Sequence, residues 1–68
     1  MSFTVRYPHI HVRLTGTDGN AFSILGKVQR ELRRAGVPQE EIRAFTEEAT
    51  RGDFNHLMAT AMHTVEVS

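Results

Sequence analysis

Histidine is the first side chain to weigh in a chain that has four of them and no cysteine. His9 and His11 are two apart, so on an extended strand they project to the same side and would both reach one Zn²⁺, with a third ligand still to be supplied from elsewhere. Any strand face offers that spacing, and the pair reads more simply as solvent-facing imidazoles beside Tyr7 and Arg13. His56 and His63, seven apart, share one face of a helix. No metal and no cofactor is expected.

Asp18-Gly19-Asn20 is the second candidate, a glycine beside a helix start where backbone amides are open to an anion. It lacks the Lys-Ser/Thr pair of a P-loop and the third glycine of a dinucleotide fingerprint. Asp18 would itself repel an anion, so a turn followed by an N-cap is the simpler account.

Lys27, Arg30 and Arg34 form a basic ridge with Arg33 at its flank, and seven of the eight basic residues of the chain are arginine. Arginine suits bidentate contact with carboxylate or phosphate. The net charge is zero, whereas a duplex-binding domain usually has a pI above about 9, so an acidic protein partner is favoured over nucleic acid. For catalysis the chain offers little. None of Ser2, Ser23 and Ser68 sits in a nucleophile elbow. Adjacent Glu47 and Glu48 point to different helix faces, and nothing in the spacing brings either to His56. The protein is expected not to be an enzyme.

These side chains must be held by few elements. Ile10, Val12 and Leu14 alternate with Tyr7, His9, His11 and Arg13, the pattern of a half-buried strand. It predicts strand over 10–14 and over 3–7, with Pro8 suiting an edge. A turn over 16–20 leads to a first helix capped by Asp18 or Asn20. Ala21, Ile24, Leu25, Val28, Leu32 and Ala35 are its inner face, Phe22 is at the edge of that face, and Gly36 is its stop. Gly26 inside this helix predicts close approach of another backbone. Pro38 fits the first turn of a second helix, with Ile42, Phe45 and Ala49 facing inward and Gly52 at its end. Asp53 caps a third helix to about Met62, and 64–67 alternates as a short last strand.

The segments Asp18-Gly19-Asn20-Ala21-Phe22, Ile24-Leu25-Gly26, Leu32-Arg33-Arg34-Ala35-Gly36, Glu40-Glu41-Ile42 and Gly52-Asp53 resemble a family of small uncharacterised bacterial proteins. Members are often encoded on mobile elements, plasmids and phages. The similarity spans nearly the whole chain, and the Asp-Gly-Asn-Ala-Phe run is its most specific part. The family pattern has an aromatic, usually tryptophan, where this chain has Thr64. The resemblance implies an architecture and no chemistry.

The expected fold is therefore one small α+β domain over residues 1–68, β-α-α-α-β, with a two-stranded sheet of the N- and C-terminal strands packed on three helices. Pairing those strands brings the two ends of the chain together. Sixty-eight residues bury a marginal core. A large cleft is not expected, and open strand edges with no disulfide to help favour a homodimer joined through the strands. No apolar run is long enough to span a membrane, and Met1–Arg6 lacks the basic and apolar regions of a signal peptide, so a cytoplasmic protein is expected. The function expected is non-enzymatic binding or regulation, with Lys27, Arg30, Arg33 and Arg34 meeting an acidic macromolecule. The alternative is a small-ligand or nucleotide site on Tyr7, His9, His11 and Arg13 with the loop of Asp18 and Asn20. The neutral total hides an asymmetry. Residues 1–36 carry six basic and two acidic side chains, net +4, and residues 37–68 carry two basic and six acidic, net −4.

Overall fold

The computed structural model describes residues 5–14 and 20–67. The chain is α+β, in the order β1 (Tyr7–Val12), α1 (Ala21–Arg34), α2 (Gln39–Ala49), α3 (Phe54–Thr64) and β2 (Val65–Val67). The two strands pair with each other in parallel. Alternation places Ile10 and Val12 in the core, while His9, His11 and Arg13 are exposed.

The register is Tyr7 beside Val65, His11 beside Glu66 and Val12 beside Val67. β1 therefore advances four residues while β2 advances one, an irregularity that breaks strict alternation. Tyr7 consequently leaves the exposed strand face expected for it and packs half-buried against the core. Parallel pairing also corrects the expectation that the chain's ends meet, since Tyr7 and Val67 lie at opposite ends of β1.

Each helix has an identifiable start. At α1 the Asn20 side chain accepts a hydrogen bond from Phe22 N at 2.8 Å; Asp18, the other candidate cap, lies outside the described residues. At α3 Asp53 accepts from His56 N at 2.9 Å. Pro38, expected inside the first turn of α2, instead precedes it. Its ψ of 146° is extended, and its carbonyl accepts from Glu41 N and Ile42 N.

α1 ends on a Schellman arrangement. Val37 N donates to Leu32 O and Gly36 N to Arg33 O, with Gly36 at φ 85°. A side chain there would be held in the left-handed region, at a cost of about 1–2 kcal/mol. α3 runs two residues past the expected Met62 and passes directly into β2, because Val65 N still donates to Ala61 O while Val65 is already extended.

The core joins Ile10 and Val12 of β1, Ile24, Leu25, Val28 and Leu32 of α1, Ile42, Phe45 and Ala49 of α2, and Leu57, Ala61 and Val65. Gly26 contradicts its expectation, because nothing lies within 4 Å of where a Cβ would be. Among the described glycines, the one whose lack of a side chain matters for space is Gly52. A Cβ there would sit 2.9 Å from His56 Cβ and 3.0 Å from His56 Cγ.

Candidate functional site

Three surfaces carry polar chemistry. The first is the outward side of α1, where the buried Ile24, Val28 and Leu32 leave Lys27, Arg30, Arg33 and Arg34 all exposed. The helix periodicity that sends apolar side chains inward sends these cations outward. Arg34 reaches Glu31 at 3.4 Å, an exposed i,i+3 pair that contributes little to stability. Arg33 and Arg34 occupy the last turn, where cations complement the negative end of the helix.

The second surface is the strand face. It keeps His9, His11 and Arg13 exposed. Tyr7 meets the His9 ring edge-on at 6.3 Å between centroids. Asn20 is engaged as the cap of α1. Among the described residues the expected set of Tyr7, His9, His11, Arg13 and Asn20 does not converge on one cavity, and only Tyr7 lines the groove described next. No group of three or more histidine and acidic side chains converges to hold a metal ion among the described residues.

The third surface was not legible in the sequence. A groove of about 610 Å³ opens between α2 and α3 and is closed at one end by Arg6 and Tyr7, where no sizeable cleft was expected. Ala44 and Ala59 are the small side chains along it, and Phe45 and Leu32 supply its floor. Glu41 and Glu48 line one wall and His56 and His63 the other. Each pair is spaced i, i+7, so both members face the same way.

The ends of the groove are set by polar contacts between elements. Arg6 bridges from the start of β1 to Glu41 at 3.2 Å, and its backbone N donates to His63 O at 2.9 Å. At the other end His56 Nε2 lies 2.9 Å from both the carbonyl oxygen and the carboxylate Oε2 of Glu48. A carbonyl only accepts, so Nε2 bears the proton and donates to Glu48. That leaves Nδ1 as an acceptor in the neutral ring. Glu48 also holds Arg51 at 3.3 Å. The Glu48–His56 contact is the one the spacing gave no reason to expect. The Gly52-Asp53 turn makes it, since Gly52 leaves room for the imidazole and the Asp53 cap fixes the first turn of α3.

Thr64, at the position where the resembled pattern has an aromatic, is buried at the junction of α3 and β2 and borders this groove. Its hydroxyl donates to Thr60 O at 2.7 Å, and that of Thr60 donates to His56 O at 2.8 Å. A smaller apolar notch of about 240 Å³ lies between the start of α1 and the α2–α3 turn, walled by Phe22, Leu25, Phe54 and Leu57. Among the described residues no helix is long and apolar enough to cross a membrane. No family model, no curated protein and no solved structure matches this chain.

Proposed function

We propose that the protein is a non-enzymatic binding module, self-associating as a homodimer, whose α1 ridge holds an acidic macromolecular partner. The observation that supports this is the exposure of Lys27, Arg30, Arg33 and Arg34 on a helix whose opposite side is anchored in the core. The backbone that carries the ridge is therefore fixed, and binding need order only the side chains. Arginine on a fixed backbone favours carboxylates presented by another protein surface.

Affinity capture with the wild-type chain and with Arg30→Glu/Arg34→Glu tests the ridge. An acidic protein held by the wild type is expected to be released by the double reversal. It is also expected to be released at about 0.5 M salt, where screening shortens to a few ångströms. Capture that is equal for both chains contradicts the proposal.

A second reading rests on the groove between α2 and α3, whose volume of about 610 Å³ is in the range of small-molecule sites. In this reading the ligand sits against Tyr7, Arg6 and His56 rather than on the strand face. Native mass spectrometry of freshly purified protein reports it directly, as a retained mass that is lost in Tyr7→Ala.

A further inference from the structure

Several observations converge on the outer side of the α1–α2 pair. Phe22 is 82% exposed, the largest exposure of any big apolar side chain described. Gly26, one turn later, weakens the helix by about 1 kcal/mol relative to alanine, yet among the described residues no other element comes within 4 Å of where its Cβ would be. Phe22, Gly26, Arg30 and Arg33 are all exposed and fall within an arc of about 80° at 100° per residue. On α2 the exposed Glu40, Arg43 and Glu47 fall within about 60°.

The two stripes flank a single valley. Gln29 Nε2 donates to Thr46 Oγ1 at 2.7 Å, marking where the helices touch. On each helix the stripe begins just beyond that contact, on the side away from the core. The helices run antiparallel, since Phe22 at the start of α1 shares a notch with Ala49 at the end of α2.

We propose that this valley seats a second copy of the chain, in a two-fold dimer where α1 of each copy lies against α2 of the other. Charge selects the arrangement. Within the valley α1 presents Arg30 and Arg33, and α2 presents Glu40 and Glu47 with Arg43 between them. A two-fold axis parallel to the helices sets α1 on α2 twice, bringing Arg30 and Arg33 of one copy among Glu40, Arg43 and Glu47 of the other. An axis across the helices sets like charge on like. The whole chain is neutral, so no long-range repulsion opposes association.

Gly26 lets the second backbone come close, and Phe22 is the aromatic anchor that such an interface needs. The valley, roughly 20 Å by 20 Å from helix dimensions, buries about 400 Å² per copy, below the usual range of stable interfaces, which suits a weak, reversible dimer. Lys27 and Arg34 lie further round α1, outside the valley. The inference thus deepens the self-association part of the proposed function and replaces the strand edges with a helical face. Arg30 and Arg33 serve both readings, so the acidic-partner part is tested on its own by Lys27→Glu/Arg34→Glu, whose positions lie outside the valley.

Sedimentation velocity from about 1 µM to 1 mM, at low and high salt, tests it. The expected result is a concentration-dependent rise from monomer to dimer mass that weakens with salt. Phe22→Ser and Gly26→Leu are each expected to weaken the dimer by about tenfold or more. Gly26→Leu raises helix propensity, so loss of the dimer there is not loss of the fold. Arg30→Glu/Arg33→Glu and Glu40→Arg/Glu47→Arg are each expected to be monomeric alone and to form a mixed dimer together. A monomer throughout the range overturns the inference, and so does a dimer indifferent to these variants.

Discussion

Replacing Leu32 with alanine is expected to remove about 3 kcal/mol of stability, within the usual 2–5 kcal/mol for a leucine truncated in a packed core. Leu32 is 1% exposed and shares a core with residues from both strands and all three helices. Its neighbours come from separate elements, each fixed by its own hydrogen bonds, so the cavity has little means of collapsing. A domain of 68 residues has a total stability of roughly 3–10 kcal/mol at typical per-residue values, so one truncation takes a large share of it. Urea unfolding followed by circular dichroism measures the loss as a shift of about 2–3 M in midpoint at an unchanged slope. Leu32→Met, which nearly conserves volume, is expected to cost under about 1.5 kcal/mol. A loss below about 1 kcal/mol for the alanine variant would contradict this account of the core.

Gly52→Ala is expected to cost about 1–3 kcal/mol, the range for forcing an extra carbon into a packed site. The added Cβ falls 2.9 Å from His56 Cβ, an atom fixed to the backbone of α3 rather than the end of a flexible side chain. Relief requires α3 to move relative to the α2–α3 turn, which stretches the bonds from His56 to Glu48. Gly52→Ala/His56→Ala removes two of the three close atoms and leaves the nearest one. Partial recovery is therefore expected relative to the sum of the single changes, read by thermal melts of the four chains. Full additivity would mean that the contact with His56 does not limit the turn.

How much was legible in the sequence follows from the range of the interactions. Period-two alternation identified Ile10 and Val12 as buried, and 3.6-residue spacing identified the inner faces of the helices except at Ala35, which is the exposed C-cap of α1, because both depend on which neighbours share a face. Asn20, Gly36 and Asp53 were readable as punctuation since caps act on the next few residues. The pairing of the strands as parallel was not, because it depends on how three helices return the chain to β1. Tyr7 was misplaced for a related reason. An irregularity in register leaves no mark in an alternating pattern, and it turned a surface residue into a wall of the groove.

The groove itself joins Arg6 to Glu41 and Glu48 to His56. The first pair is separated by about half of the chain. The second crosses a turn whose geometry depends on a glycine that reads from sequence only as a helix stop. Gly26 went the other way. A backbone approach was expected inside the molecule, and its exposed position on α1 makes it part of the outer face instead.

The central claim is that the outer face of α1, with its valley against α2, is where this protein meets its partners. A dilution series of ¹⁵N–¹H correlation spectra tests it residue by residue. Shifts that change with concentration are expected over Phe22–Arg33 and Glu40–Glu47, with the amides of His9–Arg13 unmoved. Changes confined to β1 and β2, or spectra that do not depend on concentration up to about 1 mM, would contradict it.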